Sequence, residues 1–194
     1  KTTFYYGGDM NFANMNSYFF NAGVQNIISD KDFDSKLVDS KWGVHDEHLF
    51  NKLYDDLMKE DSLFFNAVFT LSSHDPFDVP MDPVFEGNDR ATKYLNSVYY
   101  TDSCLIDFIN RFKQTDLWDN TLVILVADHG SRRPGKSRNH EINKFQIPMI
   151  WMGGVVNDSI KKIECVGSQI DIPATVLGQF SVPSDQFIYS KDLF

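Results

Sequence analysis

Two stretches of the chain are apolar at consecutive positions and too short to be helices of ordinary length. Residues 63–71 read LFFNAVFTL and residues 121–127 read TLVILVA. A run without polar alternation is what a strand covered on both faces needs, so both are expected as central strands of a sheet. Residues 2–6, β-branched and aromatic and stopped by Gly7-Gly8, predict another strand. Residues 145–152 predict a further one, in which Pro148 marks a bulge or an edge position because it cannot donate to a ladder. Residues 161–166 and 187–189 also read as short strands.

Between these runs the period changes to that of helices. Leu49, Leu53 and Leu57 recur one turn apart over residues 45–60, with Asp46 and Glu47 in the first turn, where they favour the dipole. Residues 89–114 predict the longest helix, with Leu95, Val98, Leu105, Ile109 and Phe112 as its apolar stripe. Asp102 falls in that stripe and is therefore expected to be a buried, hydrogen-bonded acceptor. Phe12, Met15 and Phe19 predict a helix after Asp9 that stops near Gly23, and residues 172–180 predict a short one. Residues 26–40 read as irregular and residues 72–88 as a loop with Pro76, Pro80 and Pro83. Alternating strands and helices give the fold class α/β, with a mostly parallel central sheet flanked by helices.

Composition narrows the function classes. The 194 residues carry 18 Lys and Arg against 27 Asp and Glu, a formal charge of −9. An acidic chain lacks the basic stripe that neutralises phosphates, so no nucleic-acid partner is expected. The two cysteines, Cys104 and Cys165, are too few for a disulfide framework or a cysteine zinc cluster. No apolar run is long enough to span a membrane. Lys1 leads straight into the apolar 2–6 segment, an opening expected of a fragment with a preceding part.

The chemistry-bearing residues cluster at predicted strand ends, where open α/β sheets bind ligands. Asp128-His129-Gly130 ends the 121–127 run and offers one oxygen and one nitrogen ligand to a divalent metal such as zinc or manganese. A capping Asp beside a loop His is the plainer alternative. His74 follows the 63–71 run directly, and with the two runs as parallel neighbours it would face the same crevice as Asp128 and His129. Gly7-Gly8-Asp9 would bring anion-binding backbone amides, or a plain N-cap, to the same rim. Asp75 reads as an Asx turn before Pro76. Arg132, Arg133, Lys136, Arg138 and His140 form a basic segment in an acidic chain, which favours an anionic ester substrate; His140 is its best metal or phosphate candidate. His45 and His48 read as surface residues outside the site.

Taken together these segments resemble the alkaline phosphatase superfamily in its sulfatase branch, and within it the lipoteichoic acid synthase and phosphoglycerol transferase group. The resemblance rests on Tyr6-Gly-Gly-Asp9 with Asn14, Trp42-Gly-Val-His-Asp46, Leu71-Ser-Ser-His-Asp-Pro-Phe77, the 117–130 segment, Lys144-Phe-Gln-Ile-Pro-Met149, Gln169-Ile-Asp-Ile-Pro-Ala-Thr175 and Ser190-Lys-Asp-Leu193. It implies an alkaline-phosphatase-like fold and a metal-dependent transferase or hydrolase acting on phosphate or sulfate esters. Asp128 and His129 would bind the metal: manganese or zinc, or calcium or magnesium in a true sulfatase. His74 and Asp9 would contact the substrate, an anionic ester such as a phosphoglycerol lipid, a glycan or a sulfated sugar. Ala13 and Met15 stand where the synthases place basic and aromatic companions of Asp9. The family's nucleophile and acidic metal ligand lie on strands before the Gly-Gly-Asp segment. Residues 1–194 would then be the C-terminal portion of a catalytic domain, with no catalytic nucleophile of their own. Their partner would be the missing N-terminal half, in an extracytoplasmic domain of a membrane-anchored parent in the bacterial cell envelope. A module that binds an anion or a glycan without turnover is the alternative.

Overall fold

The structure, a computed structural model, describes residues 1–135, 138, 140–157 and 162–194. The chain divides into two compact units, one of Lys1–Asp116 with Ser131–Phe145, the other of Leu117–Gly130 with Gln146–Phe194.

The first unit is built on a three-stranded parallel sheet. Strand β1 (Thr2–Tyr6) lies in the middle, between β2 (Asn26–Ile28) and β3 (Phe65–Phe69). β1 occupies the centre because its side chains can be buried on both faces: Thr3, Phe4, Tyr5 and Tyr6 are all buried. β3, expected to be central, pairs with β1 alone among the described residues, and Phe65 at its start is 70% exposed. Apolar continuity registered the strand but not its place in the sheet. β2 falls in the stretch expected to be irregular, because three residues are too few to carry a period.

Helix α1 (Met15–Asn21) follows a 3-10 turn at Phe12–Asn14 and stops before Gly23, whose φ of 78° an L side chain adopts reluctantly. It packs Phe19 on Phe4 with ring centroids 3.8 Å apart. Phe4, Tyr6, Met10 and Leu71 form the core beneath it, with Met15, Phe19, Ile27 and Trp42 packed around them. Helix α2 (Asp46–Leu57) buries Leu49, Leu53 and Leu57 as its spacing requires. It packs against α3 (Arg90–Phe112), where Phe50 stacks on Phe108.

The inward face of α3 differs from the expected stripe. Ser97, Tyr100, Phe108, Ile109 and Phe112 are buried, whereas Asp102 and Val98 are exposed. The face is partly polar, so hydrophobicity alone set the phase wrongly in the N-terminal half. The buried carboxylate that faces α3 is instead Asp46, at 0% exposure and hydrogen-bonded to Thr101. The N-cap of α3 is Asp89, whose side chain accepts from the backbone amides of Ala91 and Thr92. The Thr92 hydroxyl and these amides hold its pKa below the ordinary carboxylate value. A depressed carboxylate contributes stability above its unfolded pKa and loses it as pH falls through the folded one. Asp89→Ala should therefore lower the urea midpoint at neutral pH, and the two proteins should converge in acid.

In the second unit β4 (Val123–Val126) pairs antiparallel with β5 (Met149–Met152), Val126 opposite Met149. β5 begins one residue after Pro148, which is thus kept out of the ladder. Helix α4 (Ile172–Gln179) has Pro173 in its first turn and buries Ala174 and Thr175. Residues 162–166 and 187–189 are not strands; the latter lie in turns closed by Phe187 N–H to Ser184 and Ser190 N–H to Phe187. Lys161 lies outside the described residues. The class is α/β with a parallel sheet, as expected, and the antiparallel β4–β5 pair is its departure from a parallel arrangement.

Candidate functional site

The carboxyl ends of the three parallel strands carry the polar residues of the first unit. Gly7-Gly8-Asp9 follow β1, Ser29-Asp30 follow β2, and Ser72, Ser73 and His74 come shortly after β3. The two glycines are needed because the 40–44 loop crosses them closely. Val44 N–H donates to Gly7 O at 2.8 Å and Gly8 bridges Gly43. Gly43 has φ of 145°, and a Cβ there would run into the Gly7 carbonyl. The sequence reading put a helix N-terminus immediately after Gly7-Gly8, but α1 begins only at Met15. Asp9 caps locally instead, its Oδ1 accepting from the backbone and side-chain amides of Asn11 at 2.9 Å.

The same loop delivers Trp42 to His74. The Trp42 indole donates to Asp75 O at 2.6 Å, and its ring meets the His74 imidazole edge-on with centroids 4.5 Å apart. His74 Nδ1 lies 3.2 Å from Asp75 O, and His74 N–H donates to Leu71 O at 2.9 Å. With Nδ1 engaged, Nε2 is the nitrogen left for a ligand. Asp75 forms no Asx turn; its carboxylate takes the Arg90 guanidinium through Nε and Nη2. His45 is no surface residue. It is 5% exposed, edge-on to Tyr100, and lines a small cleft with Trp42, Ser72, His74 and Pro76.

Two groups on this rim carry weight that sequence reasoning did not give them. Trp42 is the indole that holds the His74 turn; Gly43 after it was the available signal. Asp30 keeps Oδ1 buried without a hydrogen-bond partner, while its own N–H donates to Gly8 O. Burial first, then the Asp9 and Asp30 carboxylates, push the Tyr6 hydroxyl pKa up. This end of the rim is therefore negative. It suits hydroxyl donors of a substrate better than its anionic group.

The basic segment belongs to the first unit. The Arg133 guanidinium lies 5.7 Å from the Phe77 ring, and the Arg133 backbone N–H donates to Ser131 Oγ. Arg132, Arg138 and His140 are exposed, and Arg138 N–H donates to Glu141. Lys136 lies outside the described residues.

In the second unit Asp128 and His129 form the bend after β4. Asp128 Oδ1 accepts from His129 N–H at 2.9 Å, and Oδ2 lies 3.4 Å from His129 Nε2. Both side chains are exposed, at 55% and 79%. The Gln169 carboxamide donates to Ala127 O at 2.6 Å and to Asp128 O at 2.8 Å, fixing the backbone from which both side chains project. Gln169 was visible in sequence only as part of a resemblance segment. An adjacent carboxylate oxygen and imidazole nitrogen fit two positions around a divalent metal. Among the described residues no third acidic, His or Cys group joins them.

Comparison with known proteins gives the family of the chain. A sulfatase family profile matches residues 1–182. The lipoteichoic acid synthase of Staphylococcus saprophyticus is 33% identical over 103 residues, which is 50% of this chain and 15% of that protein. Lipoteichoic acid synthase 2 of Bacillus subtilis is 22% identical over 96% of this chain and 31% of its own length. Among solved structures, an alkaline phosphatase superfamily protein of Vibrio parahaemolyticus superposes with a TM-score of 0.83 at 31% identity, over 99% of this chain and 47% of that one. The lipoteichoic acid synthase of Listeria monocytogenes has the same fold, with a TM-score of 0.85 at 24% identity over 100% of this chain and 53% of its own. The chain thus spans less than a third of these curated relatives and about half of these solved chains. With its profile match over most of its length, the chain belongs to the sulfatase family, within the alkaline phosphatase superfamily.

Proposed function

We propose that residues 1–194 are the C-terminal portion of a metal-dependent transferase or hydrolase acting on phosphate or sulfate esters. The observation that carries this reading is the Asp128–His129 pair, an oxygen and a nitrogen donor side by side on backbone clamped by Gln169. A divalent cation held there, manganese or zinc by its donor set, supplies charge that polarises the ester and lowers the pKa of an attacking hydroxyl.

This chain's residues then do the following. His74, tethered through Nδ1 to Asp75 O, offers Nε2 to an oxygen of the transferring group. Arg132 and Arg133 supply cationic groups for the ester's anionic charge, and His140 offers it an imidazole. Asp9 accepts from a substrate hydroxyl, consistent with the negative rim around Tyr6. The nucleophile and a further acidic ligand come from outside residues 1–194. Support for this is that the matched structures are about twice as long, and that the two adjacent ligands among the described residues fall short of the three a catalytic zinc usually has.

The substrate is an anionic ester such as a phosphoglycerol lipid, a glycan or a sulfated sugar. A solved phosphoglycerol transferase of Streptococcus pyogenes, in complex with sn-glycerol-1-phosphate, shares the fold over 81% of this chain with a TM-score of 0.58. The reading also makes this an extracytoplasmic domain of a membrane-anchored parent, as the family resemblance implies; no described helix here is long and apolar enough to cross a membrane.

The test assays the full-length protein and the isolated chain on a phosphodiester and a sulfate ester, with zinc, manganese, magnesium and calcium. Turnover by the full-length protein and none by the isolated chain is the expected result. Ester binding without turnover in both would favour the non-catalytic binding module. Turnover by the isolated chain, lost in Asp128→Ala, would overturn the half-domain reading.

A further inference from the structure

We propose that Asp46 is a positioning residue for His74, holding the turn that carries the imidazole through a buried carboxylate. The proposal deepens the functional reading above and rests on it for the role of His74. Asp46 has no solvent exposure, and every described contact of its side chain is with a donor on the strand-to-turn segment or on α3. Its Oδ1 accepts from Leu71 N–H at 2.8 Å and from Ser72 N–H at 3.2 Å. Its Oδ2 accepts from the Thr101 hydroxyl at 2.7 Å. In the reverse direction Asp46 N–H, otherwise an orphan of the α2 N-terminus, donates to Ser72 Oγ at 2.9 Å.

These bonds reach the imidazole in two steps. Leu71, whose N–H is held by Asp46, accepts the N–H of His74 on its own carbonyl, closing the turn. Between them Ser73 Oγ bonds the Thr101 hydroxyl at 2.9 Å and Ser97 O at 3.3 Å, tying the middle of the turn to α3. The first turns of α2, the interior of α3 and the end of β3 thus meet at one carboxylate. A helix-dipole role alone would be met by an exposed acid such as Glu47 one residue on, and would not demand burial. A buried carboxyl group is retained at a desolvation cost, and here its donors include the backbone amides of the turn that carries His74.

The test uses the full-length protein and three variants. Asp46→Asn keeps the shape but turns one acceptor into a donor against Thr101 or the backbone amides. Thr101→Val removes one donor and leaves the carboxylate, so it remains informative should Asp46→Asn not fold. Leu53→Ala opens the buried α2 face without touching the turn. Hydrogen exchange of the peptide spanning 70–75 and phosphodiester kinetics are read below all melting transitions. Asp46→Asn is expected to speed exchange at 70–75 and lower kcat about tenfold or more with KM little changed, since a small misplacement of a catalytic group can cost ~10²-fold. Thr101→Val should shift both in the same direction by less, and Leu53→Ala should lower the melting temperature but neither kcat nor protection at 70–75. Unchanged exchange in both Asp46→Asn and Thr101→Val would overturn the clamp. Faster exchange with unchanged kcat would overturn the positioning role. A wild-type protein without ester turnover would overturn the functional reading and the positioning role with it, while exchange would still decide whether Asp46 holds the turn.

Discussion

Asp128→Ala in the full-length protein is expected to lower kcat/KM on its ester by about 10³-fold, the equivalent of the several kcal/mol of charge stabilisation a catalytic metal supplies. Asp128 is one of two adjacent donors at the end of β4, and its removal takes an anionic oxygen ligand from a site with few protein ligands, which loosens its hold on a divalent cation. The exposure of the pair makes a folding explanation easy to exclude. A side chain more than half exposed, whose bonds among the described residues are to its neighbour's amide and ring, contributes little to stability, so the melting temperature without metal should stay within a degree or two of wild type. Loss of activity together with a large fall in that temperature would assign Asp128 to structure instead.

His74→Ala should cost about 10²–10³-fold in kcat, the range found when one donor to a developing oxyanion is removed. Its surroundings argue that the loss would come from chemistry. The turn is held by Asp46, by Arg90 on Asp75 and by the Trp42 indole on Asp75 O, none of which uses the imidazole. The backbone should therefore survive the substitution. His74→Gln, which can still donate, should recover part of the lost kcat, whereas a merely structural imidazole would give equal losses in both variants. Equal losses, or a rise in KM at unchanged kcat, would mean that His74 contributes binding alone.

Much of this was legible in the chain because it follows from short-range physics. The α2 stripe of Leu49, Leu53 and Leu57 depends on a few neighbouring residues, whereas Pro148, expected inside a strand over 145–152, lies before a β5 that starts only at Met149. Sheet position was less legible. β3 and β1 compete for the centre, and the winner is the one flanked by β2, whose three residues carry no pattern. The α3 phase failed for a related reason. Its inward face holds Ser97 and Thr101, which serve the Asp46 knot, so a count of apolar residues favoured the wrong side and put Asp102 inside. The same long-range bonds hid Asp46, since its partners are 25 or more residues away. His74, Asp128 and His129 stand out in the sequence because strand ends are where α/β sheets present ligands, whereas Asp30 and Gln169 act through tertiary contacts that no local signal announces, and Trp42 is marked only by the glycine after it.

The central claim, that Asp128 and His129 hold the catalytic metal, is tested most directly by calorimetric titration of the metal-free full-length protein with manganese and zinc. Wild type should bind one divalent ion tightly. Asp128→Ala and His129→Ala should each weaken that binding by more than the ~10–100-fold that loss of an outer-shell partner brings. Undiminished affinity in both variants would place the metal elsewhere and contradict the account.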